Sequence, residues 1–412
     1  MNVEWEHTAA PGEPWTDTAS RAGRALLDPG RVADALAGRI PSGAPTGPAR
    51  LLDVHYYPGR SLQAVHRLAD GTRVTVEGAS DGRHPAPGEV ALPELGAVAR
   101  TFPIDPDLPS LPVVLQQAGG AADVFAYVPG RRCVLGDADR VAKVSTAAAV
   151  TRAHRRQLAL WLASERRFRM AEPLVLDPDH AVRWERRLSG DRVEVGAGGL
   201  TATALAGLVA EQLASLHGLS PDGLDLPRTG PGDLVSRLER KTLRTLRRAL
   251  PATVMDEAAD AVALLRAGAP RQRAVMSPVH GDCHLANLLV DDDGVMLLDL
   301  DEMAVGDPES DLAQLATRAM LIALHRGTGF EAAAELAVQL PHAYAAARGL
   351  AVDPSRYAWY VAGCLLSRQV KTSVRHLAPD LDRLVLRLVT LGRDVLRHGV
   401  VDHDVLTPAF AL

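Results

Sequence analysis

Strand-like patterns dominate the first half of this chain and nearly vanish after Gly190. The segments LLDVHYYPGR, SLQAVHRL and TRVTVEG, which begin at Leu51, are rich in β-branched and apolar residues and are bounded by turn signals, as β-strands usually are. Beyond Gly190, apolar residues recur at helical spacing in four segments, 201–219, 232–267, 309–348 and 355–397. The pattern predicts an α+β chain with a β-rich first half, a connector near 184–190 and a helical second half that contains one hairpin.

The first half contains a possible internal repeat. The segment DVFAYVPGRRCVLGDADRVAKVS has the same order of strands and turns as the segment from Leu51, and its Pro-Gly-Arg triplet aligns with Pro58-Gly59-Arg60. This match predicts two copies of a three-stranded sheet, and the alternative is two unrelated hairpins with a common turn. Lys143 lies in the second copy where the first has Thr75 or a near neighbour. The Pro-rich segments HPAPGEVALPELG and FPIDPDLPSLP are expected to connect the copies.

The hairpin in the helical half carries a set of polar side chains. Asp293-Gly294 is a strong turn signal between the apolar runs 288–290 and 295–298, so folding about it brings Asn287 and Asp299 together at the open end, opposite or one residue out of register. An amide oxygen and a carboxylate suit Mg²⁺, which prefers oxygen ligands. Asp301, two residues further, would point to the same face. Asp291–Asp293 lie on the turn and are expected to be solvated.

Asp282 precedes the hairpin on a loop, where a carboxylate could accept a proton from a hydroxyl nucleophile. His280 and His284 flank it, and a structural role is expected for both. The alternative is a transition-metal site of the form His280-x-Asp282-x-His284, as in a metallohydrolase. Such a site needs further ligands, and no comparable cluster of histidine and aspartate occurs elsewhere in the sequence.

The order and spacing of four motifs resemble the catalytic segment of the aminoglycoside phosphotransferase/choline kinase family, which has a bilobal protein-kinase-like fold. The motifs are His280-Gly281-Asp282-Cys283-His284-Leu285-Ala286-Asn287, Leu298-Asp299-Leu300-Asp301, Gly306-Asp307-Pro308 and Asp311-Leu312-Ala313. The resemblance implies that Asp282 is the catalytic base, that Asn287 and Asp299 bind Mg²⁺, and that Asp301 assists with a second metal or the substrate. Asp311 would brace the catalytic loop.

Two rare residues agree with this resemblance. The chain has lysine only at Lys143, Lys241 and Lys371, and asparagine only at Asn2 and Asn287, although arginine is abundant. Such a fold needs a lysine on the third strand of its small sheet to hold the ATP phosphates, and Lys143 stands there. The helix after it should offer a glutamate as partner, but the segment supplies only Glu165, at its far end.

The resemblance also implies the nucleotide site and the domain boundaries. Residues 121–184 would form the small lobe, 185–190 the hinge and 191–412 the helical lobe with the catalytic loop and acceptor site. Glu185, Arg187 and Leu188 of the hinge would bind adenine, and Arg131, in a loop with one glycine, would contact phosphate. Residues 1–120 would form an N-terminal segment that caps the enzyme or makes a homodimer.

The implied function is Mg²⁺- and ATP-dependent phosphoryl transfer to a hydroxyl of a small molecule such as a sugar, an amino sugar, an aminoglycoside-like antibiotic or another alcohol. The alternatives are a kinase acting on Ser/Thr of a short peptide in natural-product biosynthesis and a non-catalytic nucleotide-binding pseudokinase. Asp301, Glu302 and Glu309 could attract a cationic acceptor.

Charge and composition exclude some classes. The net charge is -5, so no global basic field indicates nucleic-acid binding. The N-terminal MNVEWEHTAA lacks the regions of a signal peptide, and no apolar run approaches the ~20 residues that span a membrane. Three scattered cysteines predict neither a disulfide nor a zinc framework, and a cytoplasmic location is expected.

Overall fold

The computed structural model describes residues 23–40, 49–79, 84–120, 122–196 and 200–410. The N-terminal MNVEWEHTAA lies outside these ranges. In the described part, no helix is long and apolar enough to cross a membrane. The three cysteines, Cys133, Cys283 and Cys364, are buried and free.

The first sheet has five antiparallel strands in the order β1-β2-β3-β5-β4. They are β1 (Arg50–Tyr57), β2 (Ser61–Arg67), β3 (Arg73–Ala79), β4 (Val90–Leu92) and β5 (Ala97–Thr101). The last two strands lie in and just after a Pro-rich segment that was expected to be a connector, and that prediction was wrong. These strands are three and five residues long, and the prolines lie beside them, where no ladder hydrogen bond is lost.

The second sheet repeats this topology, in the order β6-β7-β8-β10-β9. Its strands are β6 (Asp123–Val128), β7 (Arg132–Gly136), β8 (Arg140–Val144), β9 (Pro173–Asp177) and β10 (Val182–Arg186). The Pro-Gly-Arg turns match, since Tyr57 pairs with Ser61 in one hairpin and Val128 with Arg132 in the other. The similarity therefore extends over five strands and not only three.

The registers identify which residue of the first sheet corresponds to Lys143. Lys143 lies opposite Val134, and the position of Val134 corresponds to Gln63, which lies opposite Glu77. The counterpart of Lys143 is therefore Glu77, two residues beyond the expected Thr75 and on the same face of the sheet.

A salt bridge occupies the same two positions in both sheets, with the charges reversed. In the second sheet Lys143 Nζ lies 3.2 Å from Glu185 Oε1. In the first sheet Arg100 Nη1 lies 3.1 Å from Glu77 Oε2, and the strand pairings align Arg100 with Glu185. The first sheet therefore offers a carboxylate where the second offers an ammonium group.

Two smaller sheets belong to the helical half. The strands β11 (Asp191–Arg192), β13 (Leu288–Asp291) and β14 (Gly294–Leu297) form one sheet, and β12 (Ser277–Val279) pairs with β15 (Ala304–Gly306). The β13–β14 hairpin turns at Asp291–Gly294, as the sequence predicted.

The first three α-helices belong to the β-rich half of the chain, and the others form the helical lobe. In chain order the α-helices are α1 (Pro29–Leu36), α2 (Leu111–Gln117), α3 (Ala147–Ser164), α4 (Ala202–His217), α5 (Pro231–Arg237), α6 (Leu243–Leu246), α7 (Ala252–Ala267), α8 (Glu309–Arg326), α9 (Phe330–Arg348), α10 (Pro354–Cys364), α11 (Val370–Arg375), α12 (Leu381–His398) and α13 (His403–Leu406). A π-helical segment, Leu365–Gln369, joins α10 to α11. Asp28 caps α1 by accepting hydrogen bonds from two backbone N–H groups of its first turn.

The two sheets belong to different hydrophobic cores. Buried residues of the first sheet, among them Val54 and Tyr56, are continuous with the core of the helical lobe. The second sheet has its own core, into which Leu111 and Val114 of α2 pack. Packing therefore joins α2 to the second sheet, although it lies before residue 121. The two lobes and the extra β-containing N-terminal segment confirm the predicted α+β bilobal fold.

Candidate active site

A cavity of about 1060 Å³ lies where the second sheet, the helical lobe and the first sheet meet. Its lining includes Lys143 of β8, Asp282 and Asn287 of the loop before β13, Asp299 after β14, and His55 of β1. Residues separated by more than two hundred positions in sequence therefore share one cleft.

The hairpin brings Asn287 and Asp299 to its open end. Leu288 pairs with Leu297, and the N–H of Leu298 donates to the Asn287 carbonyl at 2.9 Å, so Asn287 and Asp299 are one residue out of register. Asn287 Nδ2 donates to the Asp282 carbonyl at 2.9 Å, which orients the amide. The Asn287 amide oxygen and the Asp299 carboxylate form an oxygen donor set of the kind that Mg²⁺ prefers.

Cations surround Asp299. Its Oδ1 lies 3.2 Å from Lys143 Nζ, and its Oδ2 lies 3.4 Å from Arg132 Nη1. Burial would raise the pKa of this carboxyl group, but Lys143, Arg132 and Arg183 outweigh burial and hold the pKa of Asp299 well below its usual range. Asp299 is therefore ionised at neutral pH, as a metal ligand must be.

Lys143 has two acidic partners, Asp299 and Glu185. Burial alone would lower the pKa of Lys143, but the charges of Asp299 and Glu185 raise it above its ordinary value, so the lysine stays protonated. Glu185 was expected in the hinge, but β10 extends to Arg186, and the Glu185 side chain is buried beside Lys143.

The helix α3 contributes a glutamine to this pair, not a glutamate. Glu165 follows the end of α3 and pairs with Arg167 at 2.9 Å. Gln157 of α3 instead donates to Glu185 Oε2 at 3.0 Å. The acid that contacts Lys143 therefore comes from the same sheet, and the helix contacts that acid.

Asp282 lies between a histidine and an arginine. Arg368 Nη1 donates to Asp282 Oδ1 at 2.7 Å, and His284 Nε2 lies 3.6 Å from Oδ2. Burial would raise the pKa of Asp282, but the neighbouring His284, together with Arg368 and His280, holds it well below its usual range. Asp282 is therefore a carboxylate that can accept a hydrogen bond from a hydroxyl group.

Asp311 at the start of α8 holds the loop before Asp282. Its two carboxylate oxygens accept the backbone N–H groups of His280 at 2.6 Å and Gly281 at 2.9 Å. His217 Nε2, at the end of α4, lies 3.0 Å from Oδ2. Burial would raise the pKa of Asp311, but His217 and these contacts lower it. The buried carboxylate thus joins two helices to the loop.

Both ring nitrogens of His280 have backbone partners. Nε2 lies 2.9 Å from the Leu298 carbonyl, and the N–H of Asp282 lies 3.3 Å from Nδ1. These contacts occupy the nitrogens that a His280-x-Asp282-x-His284 metal site would need, so the geometry disfavours a metallohydrolase.

The other predicted nucleotide-binding residues line the same cleft. Arg131 lies exposed in the β6–β7 turn, where Ser145 Oγ donates to its carbonyl at 2.9 Å. Leu188 and Arg187 also line the cleft. The N–H of Arg187 donates to the Asp139 carbonyl at 2.8 Å, so this N–H is already used within the protein.

Two of the predicted acids have arginine partners. Asp301 pairs with Arg183, a side chain only 2% exposed on β10. Asp291 was expected to be solvated on the turn, but Arg169 Nη2 donates to its Oδ2 at 2.7 Å. That expectation was wrong because the segment between α3 and β9 runs alongside the hairpin, where Met170 forms an isolated β-bridge with Leu297.

Sequence reasoning did not identify the arginines that complete the site. Arg183 had a visible signal, because it is a charge within the apolar strand AVRW. Arg132 and Arg368 had no such signal in the sequence, since arginine is abundant throughout this chain.

A second titratable cluster forms the wall of the cleft on the side of the first sheet. Ligand atoms of Asp53, His55 and His376 all lie within 4.8 Å of one another. Burial lowers the pKa of His55 to about 3; Asp53 opposes this shift, while His376, Arg375 and Arg131 add to it. The adjacent arginines make the cluster unfavourable for a cation.

Comparisons with known proteins identify one family. The sequence model described as the phosphotransferase enzyme family matches residues 119–387. No curated protein matches the chain.

Several solved structures are similar to the chain at low sequence identity. A choline/ethanolamine kinase family protein from Mesorhizobium loti is 19% identical over 74% of this chain and 90% of that chain, with a TM-score of 0.44. A putative aminoglycoside phosphotransferase from Ralstonia eutropha is 17% identical over 70% and 98%, with a TM-score of 0.49. An aminoglycoside phosphotransferase from Streptomyces rimosus, in complex with ADP and streptomycin, is 22% identical over 62% and 96%, with a TM-score of 0.44.

Proposed function

The chain belongs to the phosphotransferase enzyme family, and from this premise we propose that it transfers the γ-phosphoryl group of ATP to a hydroxyl group of a small molecule. The observation that carries the proposal is the shared cleft, in which the ammonium group of Lys143 and the carboxylates of Asp282 and Asp299 line one cavity.

In the proposed reaction, Asp282 accepts a hydrogen bond from the acceptor hydroxyl and orients its oxygen towards the γ-phosphorus. The new O–P bond forms while the bond to the β,γ-bridging oxygen breaks, ADP leaves with that electron pair, and the hydroxyl proton passes to Asp282. The low pKa of Asp282 makes it a weak base, so proton transfer comes late. Positioning and charge neutralisation then supply most of the catalysis.

The donor set at the open end of the hairpin fits a magnesium ion. Asn287 and Asp299 would hold it, with Asp301 as a further candidate, and the ion would neutralise charge on the phosphates. Asn287 is itself positioned by its hydrogen bond to the Asp282 carbonyl, which links the metal ligand to the catalytic loop.

Lys143 would hold the α- and β-phosphates, and the exposed Arg131 would contact phosphate from the β6–β7 turn. Arg187 and Leu188 are the proposed adenine neighbours.

The first sheet would serve as a cap, because it packs on the helical lobe and contributes His55 to the cleft wall. Its reversed charges at Glu77 and Arg100 give no reason for a second nucleotide site.

The second candidate is a non-catalytic nucleotide-binding protein, which the atypical partner of Lys143 and the single glycine of the phosphate loop favour. A kinase acting on Ser/Thr of a short peptide is an alternative for the acceptor.

An ATP-depletion screen with Mg²⁺ against sugars, amino alcohols, aminoglycosides and Ser-containing peptides tests these proposals. Turnover that is lost in Asp282→Ala and Asp299→Ala supports the kinase, whereas intact turnover in both variants contradicts the assigned roles. ATP binding without turnover favours the non-catalytic candidate.

A further inference from the structure

The cleft is strongly basic although the chain is acidic overall. Among the described residues that line it, twelve are lysine or arginine and five are aspartate or glutamate. The chain as a whole carries a formal charge of -5. The excess of cations in the cleft is therefore local and not a consequence of composition.

The acids of the cleft are mostly neutralised by partners. Asp299 and Glu185 pair with Lys143, and Asp282 pairs with Arg368. Asp301 pairs with Arg183. Four of the five acids therefore have a cationic partner, which leaves little unbalanced negative charge for a cationic acceptor.

Three cations lie on one face of the continuous helix that is formed by the π-helical segment and α11. Arg368, Lys371 and Arg375 are spaced three and four residues apart, which places them on one side of a helix, and all three line the cleft. Lys371 has no acidic partner among the described residues, and Arg375 lies over the ring of Tyr57 with its guanidinium carbon 5.5 Å from the centroid.

These cations lie close enough to one another to repel. Burial lowers the pKa of Lys371, and the charges of Arg375, Arg131 and Arg368 lower it further. Such mutual repulsion is unfavourable unless an anion is bound, so the arrangement is that of an anion-binding surface.

The three cations form a row that runs from Asp282 to the first sheet. Arg368 contacts Asp282, the proposed base, and Arg375 contacts the first sheet through Tyr57. The proposed adenine neighbours, Arg187 and Leu188, belong to the segment after β10. Lys371 and Arg375 therefore extend from the catalytic base towards the cap, where an acceptor would lie.

We infer that the acceptor is an alcohol that carries an anionic group, a carboxylate or a phosphate. Lys371 and Arg375 bind this anionic group while Asp282 accepts a hydrogen bond from the hydroxyl group of the same molecule. This inference rests on the proposed phosphotransferase function and specifies its substrate class.

The same charges disfavour an amino sugar. Of the three acids that could have attracted a cation, Asp301 and Glu309 pair with Arg183 and Arg273, and Glu309 is buried. The third, Glu302, is exposed at the edge of the cleft and is a single charge against twelve cations. A protonated amine near Lys371 and Arg375 would meet like charges, and Asp53, the acid whose charge acts on Arg375, already contacts His376.

The test compares matched acceptors on the full chain saturated with AMP-PNP and Mg²⁺. Calorimetry would measure the binding of D-gluconate, D-glucose 6-phosphate, D-glucose and D-glucosamine, and the first two distinguish a carboxylate from a phosphate. We expect an anionic compound to bind more tightly than D-glucose and D-glucosamine. Lys371→Met and Arg375→Met should each weaken that binding by at least about tenfold.

Arg397→Met is the matched control, because Arg397 is exposed on α12 and does not line the cleft. Tighter binding of D-glucosamine than of either anion would overturn the inference, and so would anion binding that Lys371→Met leaves unchanged. Binding of AMP-PNP is measured first, so loss of nucleotide binding would contradict the proposed function separately from the acceptor class.

Discussion

Lys143 and Glu185 form a salt bridge, with Nζ and Oε1 3.2 Å apart, between β8 and the neighbouring strand β10. Since both residues belong to one hydrogen-bonded sheet, their separation does not depend on the position of a helix. The acid that pairs with Lys143 therefore lies in the same sheet and not in the following helix, α3.

Glu185→Gln should reduce kcat/KM for ATP by about tenfold or more, because the lysine loses one of two charges that orient it. Steady-state kinetics with varied ATP would measure this effect. Glu165→Gln is the control, since Glu165 pairs with Arg167 and not with Lys143. A large effect of Glu165→Gln together with none of Glu185→Gln would contradict the structural pairing.

Asp282→Asn should lower kcat by about 10²- to 10⁴-fold while leaving nucleotide affinity nearly unchanged, because an amide cannot accept the hydroxyl proton. Kinetics and nucleotide titration would separate these quantities. Asp292→Asn, at an exposed position of the hairpin turn, should behave like the wild type.

The same carboxylate predicts the pH dependence of the rate. Because the pKa of Asp282 is held well below its usual range, the base stays ionised as the pH falls from 8 to about 5, and the kcat profile should show no acidic limb from this group there. Arg368→Met should raise this pKa and shift the acidic limb upwards. An unshifted limb in that variant would argue against the role of Arg368.

Asp311→Ala should lower the free energy of unfolding by about 3 kcal/mol or more, because two buried backbone N–H groups and His217 would lose their acceptor. Urea denaturation would measure the change. Asp256→Asn, exposed on α7, is the control and should have little effect. A stability loss below about 1 kcal/mol would mean that water replaces the carboxylate.

His66 should make the fold sensitive to mild acid. Burial lowers its pKa from 6.5 to about 4, against the raising effects of its hydrogen bond to Leu26 and of Asp28. Because the unfolded chain binds the proton more tightly, this contribution to stability is present above pH 6.5 and is lost as the pH falls towards 4.

Between pH 7 and pH 5, the wild type should therefore lose about 2 kcal/mol more stability than His66→Gln, in unfolding experiments at both pH values. His342→Gln, at an exposed position, should follow the wild type. Equal pH dependence in the wild type and His66→Gln would show that His66 titrates normally.

The sequence predicted the features that depend on local spacing. The hairpin at Asp293-Gly294, the offset between Asn287 and Asp299, and the three strands around Lys143 follow from turn residues and alternation, which act over a few positions. The motif order was sufficient to indicate the family, because it combines several spacings at once.

Contacts between residues that are distant in sequence could not be predicted from local spacing. The short strands β4 and β5 lie among prolines; β5 pairs with β3, which is distant in sequence, and β4 joins the sheet only by pairing with β5. Gln157, Arg132 and Arg368 could not be singled out, because the partner of a charged or amide side chain depends on which other element packs beside it.

By itself, therefore, the sequence determined the motif-bearing segment from His280 to Asp301, its hairpin and the strand that carries Lys143, since each is specified by residues within a single element or turn. Only the tertiary structure decided that Glu185 contacts Lys143, that the first sheet packs on the helical lobe, and that Arg368, Lys371 and Arg375 face the cleft. The physical reason is that charge and burial at a point depend on every element that packs around it, whereas turns and periodicity depend on adjacent residues alone.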